Sequence, residues 1–276
     1  MNKSFLRKIA VLSAVVLAST TLFFGCSGRL DSVGEQNLPE LVIGSDYYAP
    51  YIYLDEQGEF VGLDVELITE ICKHIGYKPI FKHIEWGRKK EMLMIGSVDC
   101  LCGSFSLTGR ENEYSWTLPY MNSRQVVAVP QNSDIYKLSD LNGKRVAVQS
   151  TTKPDEIFSG KTDEKIVVPK LKELNCFPDM NYIVAALNEG FVDAIAGHEV
   201  VLREYMKSSS VKIRVLEEPL LEVQIGFAFL KNTHSEIIEK TNSALYVLKN
   251  NGYLAKLVSS YGLNPDVYLV NYEKTR

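Results

Sequence analysis

Short apolar segments alternate with amphipathic ones along most of the chain, and this rhythm predicts strands alternating with helices. ELVIGS (40–45) predicts a strand, and LDVELITEICKHIG (63–76) predicts a helix that ends at Gly76. Further strands are predicted over 78–84, 97–105, 144–150, 165–170 and 192–197. Further helices are predicted near 88–96, 154–159, 180–189, 198–206, 234–252 and 253–262.

The order of these segments predicts an α/β protein with two lobes. Strands separated by helices form parallel or mixed sheets that are covered on both faces. The series restarts after RQVVAVP (124–130), and LEVQIGFAFLK (221–231) predicts one long strand that leads back. We therefore expect two sheets flanked by helices, joined by extended segments at NSRQVV (122–127) and EVQIGF (222–227).

The segment GSFSLTGREN (103–112) follows a predicted strand, where open α/β sheets bind their ligands. Residues two apart on an extended segment share a face, so the hydroxyl groups of Ser104, Ser106 and Thr108 can point the same way. The Arg110 guanidinium that follows suits a carboxylate. The combination predicts a carboxylate site, and the alternative is an exposed strand edge with a surface arginine.

Composition narrows the class of partner. The 276 residues are 46% hydrophobic with a formal net charge of −4. The chain has no long run of basic residues, so nothing in its charge indicates a nucleic-acid partner. The four histidines are scattered and no C-x-x-C pair occurs, so we expect neither a metal nor a cofactor. Four cysteines are expected to be buried free thiols: Cys72, Cys100, Cys102 and Cys176.

The N-terminal segment predicts export. Three basic residues precede an apolar run over 9–24, which is typical of a secretory signal peptide (1–25) and is shorter than the roughly 20 residues of a membrane span. LFFGCSG resembles a bacterial lipobox, with Phe23 where leucine is usual. That resemblance implies a lipid such as palmitate on Cys26 and a polar tether over 26–37. The alternative is an uncleaved anchor.

From about residue 40 to 264 the chain resembles the extracellular solute-binding proteins of polar amino acid ABC transporters, of the bacterial family 3 type. Six segments match in order: LVIGSDYYAPYIY, GEFVGLDVELITEICKHIG, VDCLCGSFSLTGRENEYSWTLPY, LSDLNGKRVAVQSTT, ALNEGFVDAIAGHEVV and LKNNGYLAKLVSSYG. The resemblance implies a two-lobed periplasmic-binding-protein-like fold. Lobe 1 would comprise 38–125 plus 225–276, and lobe 2 would comprise 126–224.

The resemblance also implies a carboxylate clamp. Arg110 would hold the ligand carboxylate, assisted by Ser104 or Ser106. Thr152, at the QSTT turn before a helix of lobe 2, would add a hydroxyl or a backbone N–H from the other side.

Four more residues are implied around the rest of the ligand. Asp46 would lie near its polar end, Tyr48 and Trp86 against its side chain, and Gln149 where a side-chain selector sits. Each also has a structural interpretation: the aromatic residues as core, Asp46 as a turn cap and Gln149 as a solvated turn residue.

Two departures from the family pattern stand out. Only Gly109 separates Thr108 from Arg110, which indicates a shortened turn. His198 stands where the family commonly has an aspartate that accepts the ligand ammonium, and Glu199 or Asp46 could replace it. The alternative is that His198 only begins a helix.

The expected function is capture of an amino acid or similar small carboxylate between two closing lobes. The ligand would pass to a permease and ATPase on separate chains, and the binder would be a monomer on the outer face of the cell membrane. The alternative is an exported cyclohexadienyl or arogenate dehydratase-like enzyme with His198 as acid or base. No constellation demands chemistry, so we expect a binding protein.

Overall fold

The computed structural model describes residues 38–161, 166–167, 169–207 and 209–272. The predicted signal peptide (1–25), the lipidation site Cys26 and the tether (26–37) lie outside these residues. No helix within the described ranges combines the length and apolar character needed to cross a membrane.

The described residues form short strands and helices in alternation. The strands are β1 Glu40–Ser45, β2 Tyr53–Leu54, β3 Phe60–Val61, β4 Lys78–His83, β5 Cys100–Leu101, β6 Ser115–Trp116, β7 Met121–Pro130, β8 Arg145–Gln149, β9 Glu173–Phe177, β10 Ala194–His198, β11 Ile213–Val215, β12 Leu221–Ile225 and β13 Ala228–Phe229. The helices are α1 Leu63–Ile75, α2 Lys89–Met94, α3 Lys153–Phe158, α4 Met180–Asn188, α5 Glu199–Met206, α6 Ser235–Asn250, α7 Tyr253–Ser260 and α8 Pro265–Tyr268.

Two mixed sheets organise the fold, as predicted. The first has the order β4-β1-β5-β13-β6, in which β1 runs parallel to β4 and β5. The second has the order β11-β7-β10-β8-β9, in which β8 runs parallel to β9 and β10 and antiparallel β7 also pairs with β12. Lobe 1 and lobe 2 below are the parts built on the first and second sheets.

Helix α1 shows how the sequence sets these elements. Its apolar positions at helical spacing are buried against the first sheet, among them Leu67 and Ile71. The helix begins after Gly62, where φ is 127° and an added Cβ would lie 2.4 Å from a backbone oxygen. It ends at Gly76 in the left-handed conformation, the stop that the sequence predicted.

The run 221–231 is two strands, so its prediction as one strand is wrong. Strand β12 pairs with β7 in the second sheet, whereas β13 pairs with β5 and β6 in the first. Gly226 and Phe227 lie between them. The chain therefore crosses from one sheet to the other here, beside β7. The predicted lobe boundaries fall within this β7–β12 ribbon and stay predictions.

Two other strand predictions also need correction. The described residues of 165–170 are not in a strand, and the edge strand next to β8 is β9, several residues later. The strand predicted over 97–105 is only β5, because Gly103 and Ser104 take positive φ values of 90° and 58° and end the extended run.

The cysteines follow the prediction with one exception. Cys72, Cys100 and Cys102 are buried free thiols, but Cys176 is exposed. Cys176 lies on β9, the edge strand of its sheet, where apolar cover is incomplete.

Candidate functional site

A cavity lies between the two lobes, beyond the carboxyl ends of β1, β5 and β8. All nine residues predicted to contact a ligand line it: Asp46, Tyr48, Trp86, Ser104, Ser106, Arg110, Gln149, Thr152 and His198. Gly103, Phe105, Gln125 and Lys153 complete the lining. Arg110 and Lys89 of lobe 1 contact Glu156 and Thr151 of lobe 2, so the lobes are closed on each other.

The loop after β5 is shaped by a carboxylate on α1. Asp64 accepts hydrogen bonds from the backbone N–H groups of Gly103 (2.8 Å) and Ser104 (3.2 Å), and the Tyr120 hydroxyl donates to it at 2.5 Å. Burial raises the pKa of Asp64 to about 6. A Cβ on Gly103 would lie 2.3 Å from the Ser45 hydroxyl oxygen, so only glycine fits this turn.

The turn at Gly103 also separates the three hydroxyl groups of Ser104, Ser106 and Thr108, which the sequence predicts on one face. Ser104 and Ser106 are buried and line the cavity. Thr108 instead accepts a hydrogen bond from the backbone N–H of Gln224 at 2.9 Å, on the ribbon strand β12. The expected row is therefore two cavity hydroxyls and one that fixes the loop to the ribbon.

Arg110 reaches across the cavity to lobe 2. Its Nε and Nη2 atoms both donate to Oε1 of Glu156, at 3.0 and 2.5 Å, and Nη1 donates to the backbone oxygen of Ser106 at 3.2 Å. Nη2 also lies 3.4 Å from the backbone oxygen of Thr151. The side chain is 3% exposed, and its guanidinium lies 5.2 Å from the centre of the Phe105 ring. A buried arginine thus holds a carboxylate of the protein itself.

Two lysines stand beside this pair. Lys153, with a side chain 1% exposed, donates to the second oxygen of Glu156 at 2.9 Å. Lys89 donates to Thr151, at 3.1 Å to the backbone oxygen and 2.7 Å to the hydroxyl, and its Nζ lies 5.0 Å from the Trp86 ring centre. Burial and the nearby Arg110 lower the pKa of Lys89 to about 8.

Thr152 and Gln149, the polar residues of lobe 2, also form hydrogen bonds within the protein. The Thr152 hydroxyl donates to the backbone oxygen of Gln149 at 2.6 Å, so it does not cap α3. The Gln149 amide donates to Asp46 at 2.5 Å and to the backbone oxygen of Pro178 at 3.0 Å, which excludes a solvated turn. Burial raises the pKa of Asp46 to about 6, although the hydrogen bond from Gln149 opposes this.

Tyr48 and Trp86 fit both of their interpretations. Each is buried, and each lines the cavity. Trp86 contacts Phe105 edge-on at 5.0 Å between ring centres, and Tyr48 contacts His198 edge-on at 6.2 Å.

His198 is neutral, and both of its ring nitrogens are bonded. The amide nitrogen of Gln125 lies 2.8 Å from Nε2, which therefore accepts, and the Ser106 hydroxyl lies 3.2 Å from the same atom. The ring proton is then on Nδ1, which donates to the Ser123 hydroxyl at 2.8 Å. Burial, with the charge of Arg110, lowers the pKa of His198 to about 3.

Glu199 does not take the role of the aspartate that the family commonly has at position 198. Its oxygens accept hydrogen bonds from Arg124 at 2.7 Å and from Arg203 at 2.7 and 3.0 Å, and it is not part of the cavity lining. The expectation that Glu199 could take a ligand ammonium is therefore wrong. His198 does precede α5, but its side chain caps no backbone group there, so beginning a helix does not account for it.

The neutral state of His198 predicts a pH effect on stability. The unfolded chain takes up a proton below the ordinary pKa of 6.5, whereas the folded protein resists until about 3. The contribution of His198 is thus present above 6.5 and lost as pH falls. We expect wild type to lose about 1.4 kcal/mol per pH unit relative to His198→Gln between pH 6 and 4.

Urea denaturation at several pH values measures this difference. Substitution of the exposed His74, as His74→Gln, controls for loss of a surface histidine. A parallel pH profile for wild type and His198→Gln would contradict a neutral His198.

Sequence reasoning missed four charged or polar residues at the site: Gln125, Lys153, Glu156 and Lys89. A glutamine beside the apolar run of β7 is a signal that could have pointed to Gln125. The other three lie on segments that look like ordinary solvated helix faces, so no pattern marks them. Among the described residues, no cluster of histidine, cysteine and acidic side chains could hold a metal ion.

Comparison with known proteins agrees with this geometry. The family model for bacterial extracellular solute-binding proteins, family 3, matches residues 41–264. The histidine-binding periplasmic protein of Salmonella typhimurium (strain LT2) is 31% identical, and the match covers 95% of this chain and 99% of that protein. The "Probable amino-acid-binding protein YxeM" of Bacillus subtilis (strain 168) is 28% identical over 94% and 97%.

A solved structure shares the fold. The substrate binding protein of an amino acid ABC transporter superposes with a TM-score of 0.72 at 26% identity, covering 80% of this chain and 98% of that one. The two-lobed periplasmic-binding-protein-like fold is thereby confirmed.

Proposed function

Because the chain belongs to the bacterial extracellular solute-binding proteins, family 3, it is the substrate-binding component of an ABC importer, and we propose how it holds its ligand. An amino acid or similar small carboxylate occupies the cavity between the lobes. Its carboxylate binds Arg110 from lobe 1, with Ser104 and Ser106 beside it, and Thr152 from lobe 2. The ligand touches both lobes only when they close, so binding shifts the protein toward the closed form.

One observation carries this proposal: the Arg110 guanidinium is buried between the lobes and bonded there to a carboxylate. Burial of an unpaired guanidinium is costly, so its place in a cavity requires an anionic partner. Glu156 fills that role in this structure, and a ligand carboxylate has the same shape and charge. Tyr48 and Trp86 would contact the ligand side chain, while Asp46 and Gln149 would line its far end.

The geometry favours binding over the dehydratase alternative. A histidine acts as a general acid in its imidazolium form, and burial disfavours that form in His198 by lowering its pKa to about 3. As a base it would need a free nitrogen, and both nitrogens are hydrogen-bonded within the protein. We therefore propose that the protein has no enzymatic activity.

Titration calorimetry on the full chain in detergent tests this function. The probes are the twenty L-amino acids and the matching 2-hydroxy acids, preceded by a screen for raised melting temperature. We expect one ligand to bind with a stoichiometry of one and to be recovered unchanged. Turnover of prephenate or arogenate would favour the enzyme, and no binding of any probe would contradict the proposal.

We also propose that Cys26 carries a lipid that keeps the monomeric binder near its permease and ATPase. Its position after a predicted signal peptide supports this. Replacing Cys26 with serine is expected to abolish incorporation of labelled palmitate and to release the protein from the membrane fraction. The Cys176→Ser variant, which removes the exposed thiol of β9, is the control. Unchanged membrane retention in Cys26→Ser would contradict the anchor.

A further inference from the structure

Gln125 offers an unused hydrogen-bond acceptor at the cavity. The residue lies on β7, is 1% exposed and lines the space between the lobes. Its Oε1 atom is buried and has no hydrogen-bond partner within the described part of the chain. A buried acceptor is costly unless a donor reaches it, so this oxygen favours a ligand that carries an N–H or O–H group.

His198 and the amide of Gln125 hold each other in one orientation. The amide nitrogen lies 2.8 Å from Nε2 of His198 and 3.2 Å from the Ser106 hydroxyl oxygen. With the ring proton on Nδ1, donated to Ser123 at 2.8 Å, Nε2 can only accept. A reversed amide would place its oxygen against this lone pair. The amide nitrogen therefore faces His198, and the amide oxygen is left without a partner.

This oxygen lies close to the proposed carboxylate site. Ser106 contacts both residues concerned: its backbone oxygen accepts from Nη1 of Arg110 at 3.2 Å, and its hydroxyl oxygen accepts from Gln125. In an α-amino acid the ammonium and the carboxylate share one carbon. A ligand carboxylate on Arg110 would therefore bring the ammonium close to Gln125.

A second buried oxygen favours an ammonium over a hydroxyl group. Ser104 Oγ lines the same cavity and has no hydrogen-bond partner among the described residues. It lies two residues before Ser106 on the loop after β5. A hydroxyl group has one proton to donate, whereas an ammonium has three and can reach both oxygens. A serine hydroxyl can also donate to a carboxylate at the same time, so Ser104 keeps its proposed place beside the ligand carboxylate.

The acids in and under the cavity have other partners. Glu156 pairs with Arg110 itself, where we propose that the ligand carboxylate binds. Asp46 accepts from the Gln149 amide, and Asp64 is bonded under the loop, outside the cavity lining. A neutral amide oxygen can thus take the role that an aspartate commonly has in the family.

We propose that Gln125 binds the α-ammonium of the ligand through Oε1, with Ser104 as a second acceptor, and that His198 positions the Gln125 amide. This inference rests on the proposed function and names the residue that distinguishes an amino acid from other small carboxylates. His198 is a positioning residue, because it acts on the ligand through Gln125.

Three ligands isolate the ammonium contact. The probes are the L-amino acid of the panel that binds most tightly, its des-amino analogue, in which hydrogen replaces the ammonium, and its 2-hydroxy acid. Each is titrated against the full chain in detergent at pH 7. We expect the amino acid to bind at least tenfold more tightly than either analogue. Equal or tighter binding of an analogue would overturn the inference and leave the proposed function intact, whereas no binding of any probe would overturn both.

Gln125→Leu removes the acceptor at similar side-chain volume. We expect this variant to bind the amino acid at least tenfold more weakly and the des-amino analogue within about threefold of wild type. Gln224→Leu is the matched control, because Gln224 lies on β12 of the same ribbon but outside the cavity lining. Melting curves establish that both variants are folded. Unchanged binding of the amino acid in Gln125→Leu, or an equal loss for both ligands, would overturn the inference.

Two variants of His198 test its positioning role independently. His198→Leu removes the acceptor that holds the amide nitrogen of Gln125, so the amide can reverse. We expect the affinity for the amino acid to fall at least tenfold while that for the des-amino analogue stays within about threefold. His198→Gln supplies an oxygen acceptor in place of Nε2 and is expected to retain the wild-type preference. The same preference in His198→Leu, or an equal loss for both ligands, would show that His198 does not position Gln125.

Discussion

Replacing Arg110 with alanine is expected to weaken ligand binding by about 2–5 kcal/mol, as for other buried charge pairs that lose one partner. The guanidinium is 3% exposed and lies between the lobes, so no solvent cation can take its place. The loss should appear as a raised dissociation constant in titration calorimetry with the best ligand of the panel.

Arg145→Ala is the matched control for this variant. Arg145 pairs with Asp193 at 2.7 Å away from the cavity, and its side chain is 33% exposed. We expect its affinity to equal that of wild type. An unchanged affinity in Arg110→Ala would remove the carboxylate clamp, and with it the proposed orientation of the ligand.

Substitution of Glu156 with glutamine is expected to act in opposite directions on stability and on binding. The unliganded protein should lose about 1–3 kcal/mol, less than for a fully buried pair because Glu156 is 23% exposed. An anionic ligand should bind at least tenfold more tightly, since it no longer competes with a carboxylate of the protein for Arg110 and Lys153. Melting curves with and without ligand measure both effects.

Glu113→Gln is the control, because Glu113 is an exposed acid near the same cations. It removes the same charge without removing the contact. Weaker ligand binding in Glu156→Gln would mean that Glu156 holds Arg110 in position for the ligand instead of competing with it.

Much of the fold could be predicted because it depends on local patterns. The strand over 40–45 and the helix over 63–76 rest on periodicity and on a terminal glycine, and β1 and α1 match them closely. The prediction of one strand over 221–231 failed for a physical reason. Its two halves belong to different sheets, and uninterrupted apolar character does not reveal which partner strand each residue meets.

The residues of the site likewise divide into those that the sequence marks and those that only the structure shows. Ser104, Ser106 and Arg110 lie on one short loop with a recognisable pattern, so the sequence marks them, although their contact with a ligand stays a prediction. The partner of Arg110 could not be found, because Glu156 lies 46 residues away on the other lobe. Charge balance in a cavity depends on which residues of both lobes meet at closure. The contacts of Gln125 and Lys89 at the site therefore become visible only in the three-dimensional structure.

The β7–β12 ribbon limits how the protein can open. Its strands are joined by register pairs from Leu221–Gln125 to Ile225–Met121, so sliding one strand along the other would break several backbone hydrogen bonds at once. Bending the ribbon out of its plane breaks none. We therefore expect the two lobes to open by rotation about one axis through this ribbon. The distance between the lobes at the cavity entrance should then be enough to report whether a ligand is bound.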